Sequence, residues 1–410
     1  MRIPAVLLHL PLLFVTLCPA PSYAVAQRAK GTKQVAEITD PENGADDQFG
    51  HSVGINGNSM VVGAPQFFGS ANHGWAYIVV NSGRGWKVVA RLASGDGQSI
   101  QFGTSVAVGG DVVVVGTPDD DNGNGVVYVF VKPAGGWKGD LTPTAELTIP
   151  PGLVDNLLGT SVAIDSDGKT IVAGGPGQGG ASGAYVFVEP EGGWVDMTEP
   201  TATLTSSSAL EMGNSVAISG NTIVAGEVDN GRLEQVYVFV EPAGGWVDTT
   251  QPNATLTGSD EGSKDAFGHV VAISGNTVVA GSAHNTGTVY VFAEPQTGWA
   301  DMTQTAELTI QAKGDPGLSF AVAITGKVIV ASAPGDIIGQ IPQGAIFGYV
   351  KPAGGWVTTS KPNGSVIASD GGAKEGFGAS LAVSGTTMVV GAPDKGGDLQ
   401  GAVYIFAAQP

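Results

Sequence analysis

The sequence predicts an all-β fold: a seven-bladed β-propeller of four-stranded antiparallel blades, forming a single domain over residues 33–410. Three observations predict it. A Phe-Gly-like pair recurs seven times, at Phe49-Gly50, Phe102-Gly103, Leu158-Gly159, Met212-Gly213, Phe267-Gly268, Leu318-Ser319 and Phe377-Gly378, at intervals of 51 to 59 residues. Each pair opens two short apolar runs separated by a two-residue turn. A third run follows with two aromatic residues spaced by two, and in six copies a Gly-Trp turn comes after it. Four short strands per unit at a period in the fifties describe a propeller blade.

The elements follow in chain order within each copy. The first run alternates, as in Ser215-Val216-Ala217-Ile218, and the second is apolar throughout, as in Thr222 to Gly226. The turns between them, such as Gly220-Asn221 and Gly275-Asn276, carry residues that accept positive φ, which a tight hairpin between right-twisted strands requires. The third run pairs Tyr128 with Phe130, Tyr185 with Phe187, Tyr237 with Phe239, Tyr290 with Phe292 and Tyr404 with Phe406, so both rings of each pair share one strand face. After Trp86, Trp137, Trp194, Trp246, Trp299 and Trp356 comes a fourth run such as Ala306 to Ile310. Because these tryptophans recur in blade after blade, the need they serve is one that all blades share, and packing against the next blade is such a need.

The ends complement each other. The seventh copy reaches Phe406 to Pro410 with no fourth strand, whereas Lys33 to Pro41 reads as a fourth strand without its first three. Pairing the N-terminal strand with the C-terminal blade closes the ring and leaves no blade with a bare edge. Ahead of it, residues 1–26 read as a signal peptide: Arg2, the apolar stretch Ala5 to Cys18, and Ala24-Val25-Ala26 as a cleavage site, followed by a leader over 27–32. The apolar stretch is shorter than the roughly 20 residues that span a bilayer and contains Pro11, so no transmembrane segment is expected. This implies a secreted or cell-surface location.

Cys18 is the only cysteine, so the mature chain would lack disulfides, thiolate catalysis and cysteine-ligated metals. Loss of Arg2 with the signal leaves 17 basic residues (18 minus one) against 37 acidic ones, a formal charge of −20. Such a surface repels phosphate backbones, and nucleic acid is excluded as a partner. The 64 glycines show no triplet period, which excludes a collagen-like chain and suits a turn-rich one.

With the Phe-Gly pairs stand "VVGAP" at Val61 to Pro65 and Val389 to Pro393, and the weaker forms "VVGTP", "VAGGP" and "IVASAP". On these residues the chain resembles the FG-GAP repeat family, the blades of the integrin α-subunit propeller and of many exported bacterial proteins, over about residues 33 to 410. The resemblance implies a seven-bladed propeller that recognises partners through one loop face. It also marks a departure. The integrin hairpins that bind calcium are long and rich in Asp, and calcium takes six to eight oxygen ligands. Here the same places hold Asn56-Gly57-Asn58, Gly109-Gly110, Gly220-Asn221, Gly275-Asn276, Gly326-Lys327 and Gly385-Thr386, and the one partial match is Asp165-Ser166-Asp167-Gly168. No metal and no cofactor are therefore expected.

Channel-lining positions after each pair are His51-Ser52, Thr104-Ser105, Thr160-Ser161, Asn214-Ser215, His269-Val270, Phe320-Ala321 and Ala379-Ser380, without carboxylate or arginine. Hydrolytic chemistry needs converging acids and bases, so no catalytic residues are assigned and the chain is expected not to be an enzyme. The variable loops between second and third strands are the better candidates. From them Phe67, Phe68, His73, Asp119, Asp120, Asp121, Arg232, Ile337 and Ile338 are expected to bind the ligand. The expected partner of this monomer is an extracellular protein, with a glycan as the alternative and a cell-envelope hydrolase or lyase as the third reading. Exposed tryptophan rings would favour the glycan, a single apolar patch the protein.

Overall fold

A computed structural model describes residues 32–408, apart from 43, 67–72, 96–100, 151–155, 178–181, 210, 228–233, 260–265, 283–286, 311–317, 319 and 339. The expected signal peptide therefore lies outside the described residues, as does nearly all of the leader. Among the described residues no helix is long and apolar enough to cross a membrane; the one helical element is a four-residue turn, Asp120–Gly123.

Seven sheets form the blades, each of antiparallel strands that in blades 1 to 6 run in sequence order from the inside outwards; in blades 1 and 4 a short strand from the next blade adds in parallel at the outer edge. Blade 4 shows the pattern: Met212–Ser219, Thr222–Glu227, Val236–Val240 and Ala254–Thr257. The hairpin glycine Gly220 has φ 57°, a left-handed conformation that an ordinary L-residue adopts at a cost. Fourth strands are short, Ala306–Leu308 stopping two residues before Ile310. Blade 1 departs from the expected turn, because Trp86 already belongs to its fourth strand, Trp86–Leu92.

The core lies between blades. Strands buried on both faces cannot alternate apolar with polar, which is why second strands such as Val112–Thr117 are buried throughout. Seven apolar clusters fill the seven junctions. At the first, Phe102 sits among Ile78 and Leu92 of blade 1 and Val113 and Phe130 of blade 2. At the last, Phe49 and Met60 of blade 1 meet Val389, Val403 and Ile405 of blade 7. The Phe49 ring meets the Tyr77 ring edge-on at 5.5 Å, a geometry repeated by Phe267 with Tyr290 and Phe377 with Tyr404.

The two glycines of the repeat explain each other. Gly103 has φ 98°, and a Cβ on Gly63 of the preceding blade would drive into the Gly103 carbonyl oxygen. Gly116 stands in the same relation to Gly159, Gly174 to Gly213, Gly226 to Gly268 and Gly391 to Gly50. Beside this contact a serine ties the inner strands: the Ser52 hydroxyl donates to Gly103 O at 2.8 Å and Ser105 to Gly159 O at 2.7 Å. Further round, Ser161 and Ser215 accept from the backbone N–H of Val216 and Val271.

The N-terminal strand, Thr32–Thr39, lies antiparallel to Ala402–Ala408, from Thr32 opposite Ala408 to Thr39 opposite Ala402. It is the outermost strand of blade 7.

Candidate functional site

Inner strands descend from the Phe-Gly turns, so those turns, the loops between second and third strands, and the loops between blades share one face. Backbone contacts bind the loops together there: Leu157 and Leu158 N–H donate to Gly123 O and Asn124 O, each at 3.0 Å. A second device acts through tyrosine hydroxyls of the third strands, near the strand start at Tyr128, Tyr185, Tyr237 and Tyr404, and two residues further on at Tyr349, where Phe347 takes the earlier place. Tyr128 donates to Asp120 Oδ2 at 3.0 Å, Tyr237 to Glu227 Oε2 at 2.7 Å and Tyr349 to Thr309 O at 2.8 Å. Tyr185 accepts from Asn156 Nδ2 at 2.8 Å. In blade 7 the Tyr404 hydroxyl donates to Asp370 Oδ1 at 3.0 Å and also meets Lys395, which pairs with Asp370 and Glu37.

The residues singled out from sequence are dispersed around this face. Phe67, Phe68 and Arg232 lie outside the described residues, as does the side chain of Asp121. His73 is exposed at the end of its loop and Asp119 is half-buried. Asp120 braces Tyr128, which gives that acid a structural task. Ile337 and Ile338 part company: Ile337 is 53% exposed, whereas Ile338 packs against the cluster between blades 5 and 6.

Two features of this face were not legible as site residues. Ile337–Ile338 pairs antiparallel with Ile341–Pro342 as a small hairpin, with Ile337 opposite Pro342 and Ile338 opposite Ile341, and Ile341 is 45% exposed. Phe320, on the same blade at the channel mouth, is 49% exposed, where Thr104, Thr160 and Asn214 occupy its place in blades 2 to 4. The sequence signal for the hairpin was available, an Ile-Ile and an Ile-Pro flanking Gly339-Gln340.

Other channel-mouth groups are neutral. Burial holds the His51 imidazole down at about 4, and His269 Nδ1 lies 3.1 Å from Ala266 O and 3.2 Å from Gly281 O. Among the described residues no three His, Asp or Glu side chains gather as a ready metal set. Asp165, the partial calcium motif, accepts from Gly220 N–H at 3.0 Å. In that role it replaces the serines that accept from Gly57, Gly275 and Gly326 at other junctions.

The tryptophans face inward. Trp137, Trp194, Trp246, Trp299 and Trp356 are all under 10% exposed, each in a junction cluster with the preceding blade. The segment after each of them clasps that blade's outer strand. Asp196, Asp248 and Asp301, two residues past their tryptophans, accept from the N–H of Glu146, Thr203 and Thr255 at 2.8 to 3.0 Å. Met197, Thr249 and Thr359 form parallel bridges beside them. These clasps cover edges that would otherwise invite pairing.

One family comparison agrees with this geometry. The FG-GAP repeat family matches residues 32–79, 86–130, 251–292 and 363–406. Each matched unit begins with one blade's outer strand and ends with the third strand of the next, so the unit of sequence is offset from the unit of structure. A search of the curated proteins finds no match. Among solved structures, the crystal structure of the computationally designed Ika8 protein (crystal packing No.1 in P63) is similar over 87% of this chain and 82% of that one, at 15% identity and a TM-score of 0.47. Of the unmatched blades 3, 4 and 6, the first two keep the same turn, with Gly159 and Gly213 at φ 90° and 103°. The chain carries FG-GAP repeats in four places and folds as a seven-bladed β-propeller.

Proposed function

We propose that this chain is an exported, non-enzymatic binding scaffold that recognises an extracellular protein partner through its loop face, in the manner of an adhesive head. One observation carries the reading: Phe320, Ile337 and Ile341 are large apolar side chains, each about half exposed, on the loop face of one blade. Apolar anchors of this kind, rimmed by polar surface, are the usual centre of a protein interface. Burial of the recurring tryptophans weighs against the glycan alternative, which needed their rings in solvent. Hydrolase or lyase activity is the third reading, and the absence of carboxylate and arginine from the channel positions weighs against it.

The test is a paired screen of the mature chain and its Ile337→Asp/Ile341→Asp variant against extracellular-protein and glycan arrays. Protein hits that the variant loses support the reading. Glycan hits that survive the double substitution would replace it with the lectin alternative. N-terminal sequencing of secreted material tests export, with a start near Gln27 as the outcome that supports it.

A further inference from the structure

The junction between blades 6 and 7 lacks what the other six share. Tryptophans stand in six of the seven apolar clusters, and the cluster between blades 6 and 7 has none. The cause is topological: blade 7 takes its fourth strand from the N-terminus, so no Gly-Gly-Trp turn follows its third strand. The clasp that comes after such a turn is missing with it. Ser365 occupies the place from which Glu146, Thr203, Thr255 and Glu307 donate their N–H to a clasp, and among the described residues no strand or bridge flanks Gly364–Val366 on its outer side.

On the face toward blade 7, blade 6 also has less side chain than its neighbours. Gly348 lies where Val129, Val186, Val238, Val291 and Ile405 fill their junctions, and Gly364 where Ala145, Ala202, Ala254 and Ala306 do. A Cβ on Gly348 would find nothing nearer than Gly364 O at 3.9 Å and Val330 Cγ1 at 4.0 Å. Below it Val350 is 48% exposed and its cross-strand neighbour Val328 36%. In the place of Val350, Val131 is 37% exposed, and Val188 and Val240 pack against the clusters that hold Trp246 and Trp299. The result is an apolar notch on the hairpin side of the junction, shaped by the loss of one indole, one isopropyl and one methyl group.

Charge specifies what suits the notch. The N–H of Lys351 donates to Lys327 O at 2.8 Å, which sets these two residues side by side next to Val350 and Val328. In blade 2 the same two places hold Lys132 and Asp111, an ion pair at 3.0 Å, and in blades 4 and 5 a glutamate meets an asparagine. Among the described residues no ion pair reaches Lys327 or Lys351. Neighbouring like charges repel, and a carboxylate brought between them relieves the repulsion. The leader, with Arg28 and Lys30, has the wrong sign for the task.

We propose that this notch binds an extended acidic segment of a partner protein, which inserts an aromatic ring over Gly348 beside Val350, runs parallel to Gly364–Val366 and sets its carboxylates against Lys327 and Lys351. The template is Trp246-Val247-Asp248, which does this for blade 3: the ring shares a cluster with Val186 and Ala202, and Asp248 accepts from Thr203 N–H at 2.8 Å. Strand addition takes its affinity from backbone hydrogen bonds and its specificity from the pockets that receive side chains. The notch opens on the side opposite the loop face, so it is independent of recognition there.

The probe is a fluorescein-labelled peptide with the sequence of residues 241–250, EPAGGWVDTT, beside its Trp246→Ala counterpart. Fluorescence anisotropy with the purified chain shows saturable binding of the first and none of the second. Gly348→Val, which restores the side chain of the other blades, lowers affinity about tenfold while the melting temperature holds or rises. Lys327→Glu/Lys351→Glu lowers affinity about tenfold and removes its dependence on salt. The inference is overturned if the parent shows no saturable binding, or if a folded Gly348→Val or double-lysine variant binds as the parent does. Binding that appears only once residues 27–31 are deleted overturns it in favour of the leader as the occupant.

Discussion

The hydroxyl of Ser380 donates to the carbonyl oxygen of Gly50 at 2.7 Å, across 330 residues of chain. It is the same bond that Ser52 makes to Gly103 and Ser105 makes to Gly159, so the last blade meets the first as any blade meets its neighbour. The backbone N–H of Gly57 likewise donates to Ser384 Oγ at 3.0 Å.

Removing Thr32–Thr39 deprives blade 7 of its outer strand and exposes the edge of Ala402–Ala408. The truncated protein is expected to melt several degrees lower or to aggregate, measured by calorimetry and light scattering. An unchanged melt would show that the strand contributes nothing to the seam.

Gly391→Ala places a methyl group against the carbonyl of Gly50, which is backbone and cannot swing away. Destabilisation on the order of 2–4 kcal/mol is expected in urea unfolding. Gly57→Ala is the control: its φ is 57° but nothing lies within 4 Å, so only the backbone term of about 1 kcal/mol applies.

Trp246→Ala empties a junction position and is expected to cost about 3–5 kcal/mol. Asp248→Ala, two residues on, removes only the bond to Thr203 N–H, for about 1 kcal/mol. Equal effects from the two would mean that the clasp, not the ring, holds the blades.

Burial lowers the His51 pKa from 6.5 to about 4, so the folded state favours the neutral ring and the unfolded state binds more protons between those values. The stability this contributes is present above about 6.5 and is lost as pH falls through that range, with a slope of up to ~1.4 kcal/mol per pH unit. Asp47 acts in the opposite sense, because burial and Asp40 push it up to about 6. The difference between the parent protein and His51→Gln, measured by urea unfolding from pH 4 to 7, isolates the histidine. A flat difference would refute its burial as neutral imidazole.

The four-strand blade, its count and the place of every Phe-Gly turn were legible from the chain, because hairpin glycines, strand alternation and aromatic spacing are local rules repeated seven times. Repetition also revealed that Gly-Gly-Trp serves packing. The two Asn-X-Ser/Thr sequences at Asn253 and Asn363 show the limit of such reading. Their side chains accept from Val240 and Val350 N–H at 2.8 and 2.7 Å, the task Thr144 performs for Val131, so they have a structural role the sequons do not reveal.

By itself, then, the sequence determined the periodic scaffold and the offset that leaves the two ends to complete one blade. Tertiary structure alone decided what crosses a junction: which glycine abuts which carbonyl, that Asp165 replaces a serine, and that Ile338 packs into a junction while Ile337 and Ile341 of the same hairpin stay exposed. The reason is physical. Backbone propensity acts over a few residues and leaves its mark on the local pattern, whereas contacts between blades join residues about fifty positions apart, or over three hundred at the seam, through steric fit and charge that no local pattern encodes.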